Sequence, residues 1–98
     1  MNLETHITFD DVLLVPQYSD IKSRTEVTLA SEMSEGVELR VPIISAPMDT
    51  VCGRLMAERM AEFGALGIVH RYNTIEKQAN IVSQASEAGA KNIGAAIG

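Results

Sequence analysis

The sequence predicts an α/β fold with a parallel sheet, because three short apolar runs alternate with two amphipathic helical patterns. The runs begin near residues 43, 66 and 92 of the 98-residue chain. Continuous apolar strands are typical of parallel sheets that helices cover. Their spacing of about 25 residues matches a barrel of eight units in roughly 200–250 residues. We therefore predict the first three β/α units of a (β/α)8 TIM barrel, incomplete as given.

The chain divides into two regions with different patterns. Residues 1–40 mix short alternating apolar patches with turn residues, which predicts an irregular N-terminal extension of extended segments and loops. A hairpin is expected around Ser34-Glu35-Gly36. Residues 41–98 hold the predicted barrel part, with three strands and two helices.

The first predicted strand, Ile43–Ala46, leads into a helix over about Gly53–Phe63. Gly64 follows where a glycine commonly ends a helix. Spacing of i, i+4, i+8 and i+11 assigns the apolar face of this helix to Cys52, Met56, Met60 and Phe63.

The second predicted strand is Leu66–Val69, and the third is Asn92–Ile97. Between them, Asn73 is a candidate N-cap for a helix, with Glu76 as its capping-box partner. Gly89 is expected to end this helix. Its predicted inward face consists of Ile75, Ala79, Val82 and Ser86.

Composition excludes several classes of protein. The net charge of −5 and the pI near 4.9 offer no basic surface to nucleic acid or to an anionic membrane. No apolar run approaches the ~20 residues of a membrane span, and the first residues lack the features of a signal peptide. The single cysteine excludes an internal disulfide and is typical of a reducing cytoplasm.

The segment Pro42–Val51 is the strongest candidate for a ligand-facing loop. It begins as a buried strand and then presents polar residues at the strand's carboxyl end, where α/β proteins bind ligands. A strand followed by an ordinary helix cap explains the same pattern. The residues alone therefore indicate a ligand-facing edge of the sheet and do not indicate a reaction.

Other chemistry-bearing residues have simpler structural explanations. Cys52 is expected to be a buried thiol rather than a nucleophile. His70 is either a structural hydrogen-bonding residue or a ligand contact. The pair Asp10–Asp11 is expected to be solvated or capping, because no third carboxylate lies nearby to hold a metal. The run Gly94–Gly98 lacks the spacing of a phosphate loop, so small residues packed in a barrel strand explain it better.

Five stretches in order resemble the IMP dehydrogenase and GMP reductase family. Ile7–Pro16 is similar to its opening signature, and Pro42–Val51 to its first barrel strand and loop. Leu66–Arg71 resembles the end of the second strand, Thr74–Ala79 the following helix, and Gly94–Gly98 the third strand.

The resemblance implies a (β/α)8 barrel in a cytoplasmic homotetramer. IMP dehydrogenases oxidise IMP to XMP with NAD, often with potassium, through a cysteine thiolate that attacks the purine. GMP reductases convert GMP to IMP with NADPH. The catalytic cysteine belongs to a loop beyond residue 98, so Cys52 is not its counterpart. This chain holds no catalytic residue and is expected to be inactive alone.

The resemblance also implies three substrate-binding residues, Met48, Ala46 and Ser45, with Met48 touching the purine. Most IMP dehydrogenases insert a regulatory module between the second helix and the third strand, whereas Ala88–Lys91 joins them directly here. Many GMP reductases share that absence. The opening signature and Gly94–Gly98 are more similar to the dehydrogenase, which we favour.

Three alternatives remain open from the sequence. The chain is part of a GMP reductase, a small non-enzymatic α/β protein, or one part of a barrel that a second polypeptide completes. The partners implied by the favoured interpretation are IMP and the remainder of the barrel.

Overall fold

Two separate sheets organise residues 3–98, the part of the chain that the computed structural model describes. An antiparallel hairpin comes first, formed by β1 (Ser31–Ser34) and β2 (Val37–Leu39) around the turn Glu35–Gly36. The second sheet is parallel, with the strand order β3 (Ile44–Ser45), β4 (Leu66–Val69) and β5 (Ile93–Ala95). The predicted hairpin and the α/β class are confirmed.

Two helices connect the parallel strands. Helix α1 (Arg54–Glu62) joins β3 to β4, and α2 (Ile75–Glu87) joins β4 to β5. Each helix is followed closely by a glycine with positive φ, Gly64 at 75° and Gly89 at 96°. A residue with a side chain would be strained there, which is why both glycines were recognisable as helix ends.

The core lies where α1 crosses β4. Gly67 of β4 faces Ala57 of α1 so closely that a Cβ on Gly67 would lie 2.4 Å from the Ala57 Cα. Cys52, Ala57 and Val69 are fully buried, and Ile81 and Ile93 pack against them. The sheet and the helix layer are therefore joined through small residues at their closest point.

This close approach corrects the predicted inward face of α1. Met56 and Phe63 were expected to be buried but are 42% and 67% exposed, whereas Ala57 is completely buried. A helix that contacts a glycine in a strand must present its smallest residue at that point, because a longer side chain would hold the helix away. The spacing of apolar residues along the helix does not reveal that requirement.

The predicted inward face of α2 is also wrong in part. Ile75 is 86% exposed and Ala85 is fully buried, while Gln78 and Ile81 are half-buried. Ala79 and Ser86 are exposed, so of the predicted face Val82 alone is even half-buried. The helix is rotated so that a polar residue, Gln78, faces inward.

The start of α2 differs from the prediction by one residue. Thr74, not Asn73, is the N-cap, and its Oγ1 accepts a hydrogen bond from the Lys77 backbone N–H at 3.2 Å. Lys77 therefore occupies the third helical position, and Glu76 is not the capping-box partner. Asn73 is released for other hydrogen bonds.

The hairpin is attached at the amino-terminal end of the parallel sheet. The backbone N–H groups of Arg40 and Val41 donate to the Gly64 carbonyl at 2.8 and 3.1 Å. Asn92, directly before β5, donates through Nδ2 to the Glu38 carbonyl at 2.8 Å. The opposite, carboxyl-terminal end of the sheet is left open by the hairpin.

Residues 3–29 extend away from this core. They contain two short 3-10 helices, Phe9–Asp11 and Arg24–Glu26, and every residue among them is exposed. The Cα radius of gyration is 18.0 Å, against about 13 Å for a compact domain of this size. The first two residues of the predicted extension 1–40 lie outside the described residues. No helix within residues 3–98 is both long and apolar enough to cross a membrane.

Substitution of Gly67 tests the closest contact of the core. We expect Gly67→Ala to lower the free energy of unfolding by roughly 1–3 kcal/mol, because the new methyl group would overlap the Ala57 backbone. Gly53→Ala is the control, since its Cβ would meet no atom within 4 Å. Chemical denaturation of the full-length protein measures both, and equal stability of the two variants would contradict the packing described.

Candidate functional site

The carboxyl ends of β3, β4 and β5 meet at one edge of the parallel sheet. The segments that follow these strands are residues 46–52, 70–73 and 96–98, and we call them together the rim. In α/β proteins with parallel sheets, ligands bind at the carboxyl ends of the strands. The rim is therefore the candidate functional site.

A tight turn after β3 presents Met48 at the surface. The Met48 N–H donates to the Ala46 carbonyl at 2.8 Å, and the Met48 carbonyl accepts from Val51 and Cys52 at 3.0 and 2.9 Å. The side chain of Met48 is 52% exposed. The backbone is thus fixed on both sides of a side chain that stays accessible.

The other two predicted site residues have different environments. Ala46 is exposed beside Met48. Ser45 pairs with Gly67, whose missing Cβ would contact Ala57, so the Ser45 side chain lies on the helix side of the sheet. It is 8% exposed, and its Oγ has no hydrogen-bond partner within residues 3–98. A contact of Ser45 with a ligand at the rim would therefore come from its backbone.

His70 is a structural hydrogen-bonding residue in this arrangement. Its backbone N–H donates to the Cys52 carbonyl at 3.1 Å, and its Nδ1 accepts from the Tyr72 N–H at 3.2 Å. The Arg71 guanidinium lies over the Tyr72 ring, 5.6 Å from its centroid. The loop after β4 is therefore joined to the loop after β3 through Cys52.

Two carboxamides join the loop after β4 to the end of β5. Asn73 Nδ2 donates to the His70 carbonyl at 3.0 Å and to Gln78 Oε1 at 2.7 Å. Gln78 Nε2 in turn donates to the Ala96 carbonyl at 3.2 Å. The sequence prediction missed both roles. The signal that could have indicated them is Gln78, a polar residue on the inward side of α2. A cavity of about 360 Å³ opens beside them, lined by Arg71, Asn73, Ile75, Gln78, Ala79, Ala96, Ile97 and Gly98.

The remaining candidate residues lie outside the rim chemistry. Asp11 caps its own turn: the Thr8 N–H and then the Thr8 hydroxyl donate to its carboxylate and hold its pKa below the usual value. Within residues 3–98 no three His, Cys, Asp or Glu side chains are grouped to hold a metal. A Cβ on Gly94 would lie 2.9 Å from Ile68 Cγ1, so Gly94 serves strand packing as predicted.

Comparison with known proteins identifies relatives over almost the whole chain. The sequence model of a family described as "IMP dehydrogenase / GMP reductase domain" matches residues 6–98. The inosine-5'-monophosphate dehydrogenase of Nitrosopumilus maritimus is 46% identical over 89 residues, which cover 91% of this chain and 19% of that protein. The GMP reductase of Leishmania donovani is 42% identical over 82 residues, covering 84% and 17%.

A solved structure agrees with these sequence relatives. The GMP reductase of Trypanosoma brucei, crystallised with guanosine 5'-triphosphate, superposes with a TM-score of 0.73 at 44% sequence identity. The match covers 82% of this chain and 19% of that one. The chain thus spans about a fifth of the length of the relatives it matches.

Cysteine labelling tests whether Cys52, the last residue of the first rim segment, is buried. Its side chain is completely buried, so we expect iodoacetamide to leave Cys52 unmodified in the native full-length protein and to modify it in urea. Peptide mass spectrometry assigns the label to this cysteine and separates it from any other. Rapid native labelling at Cys52 would show that the loop after β3 is open.

Proposed function

We propose, because the chain belongs to the IMP dehydrogenase/GMP reductase family, that it forms the first three β/α units of the catalytic barrel of an IMP dehydrogenase. The observation that carries this proposal is the family match over residues 6–98 together with the 46% identity to a dehydrogenase. The parallel order β3-β4-β5 with helices between the strands is the geometry that such a barrel requires.

The proposed reaction is the oxidation of IMP to XMP in guanine nucleotide synthesis. A cysteine thiolate beyond residue 98 would attack C2 of the purine, and water would later hydrolyse the covalent intermediate. NAD would supply the hydride acceptor, and potassium is the ion implied by the resemblance. We propose that their binding residues lie mostly outside this chain, so its own contribution is to bind and orient the nucleotide.

Met48 is the residue of this chain that we propose to contact the purine. Its thioether is exposed at the carboxyl end of β3, on a turn whose backbone bonds are all made locally. A polarizable, apolar side chain on a fixed backbone suits a flat base. Ala46 has no side chain beyond Cβ to obstruct the nucleotide, and Ser45 would contribute its backbone.

The N-terminal segment exposes apolar side chains that further parts of a larger protein would cover. Four apolar side chains of the N-terminal segment are almost fully exposed, namely Phe9, Leu13, Leu14 and Tyr18 at 95–98%. Burial of such residues is strongly favourable. We propose that the remainder of the barrel and neighbouring subunits of a cytoplasmic homotetramer cover them. The exposed apolar side chains favour a segment of a larger enzyme over a small binding protein.

A GMP reductase is the second candidate, converting GMP to IMP with NADPH. It is supported by the identity to the Leishmania protein, by the structural match to the Trypanosoma enzyme, and by the direct connection of α2 to β5 without a regulatory module. In either enzyme the rim would bind a purine nucleotide.

Paired assays of the full-length protein separate the two reactions. We expect IMP-dependent reduction of NAD and formation of XMP. Oxidation of NADPH with GMP and release of ammonia, without the first reaction, would assign the reductase instead. Inactivity with both nucleotides in a folded, oligomeric protein would overturn the enzymatic proposal.

Met48→Ala tests the proposed purine contact. Loss of the thioether should cost roughly 1–3 kcal/mol of nucleotide binding, which raises the KM for the nucleotide about tenfold or more and changes kcat less. Met56→Ala on α1 is the matched control, with a similar exposure of 42% and no place on the rim. A lower Tm with an unchanged KM would mean that Met48 only packs the loop.

A further inference from the structure

A continuous series of hydrogen bonds runs along the rim and links the loop of Met48 to the end of β5. The Cys52 N–H donates to the Met48 carbonyl, and the Cys52 carbonyl accepts from the His70 N–H. The His70 carbonyl accepts from Asn73, whose amide also donates to Gln78. Gln78 then donates to the Ala96 carbonyl. All three loops of the rim are therefore held in one network.

The direction of the two carboxamides is set by the backbone at each end. The carbonyls of His70 and Ala96 can only accept hydrogen bonds, so the NH₂ groups of Asn73 and Gln78 must face them. This leaves Gln78 Oε1 to accept the second hydrogen of Asn73 Nδ2 at 2.7 Å. A flip of either amide would place two acceptors or two donors together. The three contacts are therefore hydrogen bonds in one arrangement only, in which Asn73 Oδ1 is buried without a partner within residues 3–98.

Gln78 is the member of this network that fixes the end of β5. The Ala96 N–H donates to the Val69 carbonyl at 2.9 Å, and the Ala96 carbonyl accepts from Gln78 at 3.2 Å. Both backbone groups of Ala96 are therefore held, one by the neighbouring strand and one by α2. Ile97 and Gly98, which line the cavity beside Arg71, continue from this fixed point.

We propose that Gln78 is a positioning residue of the nucleotide site: it sets the loop after β5 relative to the loops that carry His70 and Met48. It acts through Ala96 and does not touch the nucleotide. The proposal rests on the function proposed above, in which the rim binds a purine nucleotide. It explains why α2 turns a polar residue inward at this level of the sheet, while Ala85 faces inward about two turns later.

The opposite end of the sheet supplies a matched comparison. Asn92 Nδ2 donates to the Glu38 carbonyl at 2.8 Å, so the same chemical group makes a similar bond to a backbone carbonyl at the amino-terminal end. Loss of the part-buried Gln78 bond should lower stability at least as much as loss of the exposed Asn92 bond. Only loss of the Gln78 bond should change the nucleotide site, because the Asn92 bond does not lie on the rim.

The test compares Gln78→Ala with Asn92→Ala in the full-length protein. Gln78→Ala removes both bonds of this side chain, and only the bond to Ala96 holds the loop after β5. We expect a roughly 3- to 10-fold rise in the nucleotide KM for Gln78→Ala, the scale of that one hydrogen bond, and less than about a twofold change for Asn92→Ala. Gln84→Ala, which removes an exposed carboxamide from the same helix, should match the wild type. Equal KM changes in Gln78→Ala and Asn92→Ala would overturn the positioning role.

Gln78→Glu separates the donated bond from the accepted one. The introduced carboxylate can still accept from Asn73 but cannot donate to the Ala96 carbonyl. Facing a carbonyl oxygen raises its pKa, so a proton that restores the donor returns as the pH falls. We expect the KM relative to that of the wild type to recover towards acidic pH. A KM ratio that does not change with pH would contradict the donor role.

Hydrogen exchange gives a measurement that is independent of the reaction. Backbone amides of residues 96–98 should exchange faster in Gln78→Ala than in Asn92→Ala or the wild type, with no nucleotide present. If the wild type turns over neither IMP nor GMP, the proposed function fails, while this comparison still decides whether Gln78 fixes the loop. Unchanged exchange in Gln78→Ala would overturn the inference whatever the activity.

Discussion

The contact between Gly67 and Ala57 is the constraint on which the rest of the parallel sheet and its helices depends. No side chain separates the strand from the helix at this point, and a single methyl group on Gly67 would overlap the helix backbone. The contact fixes the distance of α1 from the sheet. Cys52, two residues before α1, then lies in the core beside Val69, with its backbone bonded to Met48 in its own loop and to His70 in the loop after β4. The exposed position of Met48 follows from that anchored cysteine.

Features set by local backbone chemistry were predictable from the sequence. The strand Leu66–Val69 agrees residue for residue, and Gly64 ends the first helix as expected. The hairpin at Glu35–Gly36 also follows from its turn residues. In these cases the information resides in a few adjacent residues, because glycine tolerates a positive φ and apolar runs form buried strands. The other two parallel strands are shorter than predicted, since hydrogen bonding to a neighbour decides where a strand ends.

Features set by contacts between distant segments were not predictable in the same way. Apolar spacing selected Met56 and Phe63 for the core, but proximity to Gly67 selects Ala57. Asn73 has the chemistry of an N-cap, yet the His70 carbonyl and Gln78 engage its amide, so Thr74 caps the helix. At the site, the exposed loop of Met48 was foreseen, whereas the inward role of Gln78 depends on a carbonyl eighteen residues away.

The junction between α2 and β5 has a consequence for where the chain tolerates a change in length. It lies at the amino-terminal end of the sheet. A Cβ built on Gly89 would meet no atom within 4 Å, so the junction is not packed against the rest of the described chain at this point. The hydrogen-bonded loops of the rim occupy the opposite end, and none of their hydrogen bonds involves a residue of this junction. A longer or a shorter junction is therefore compatible with the same hydrogen bonds at the rim.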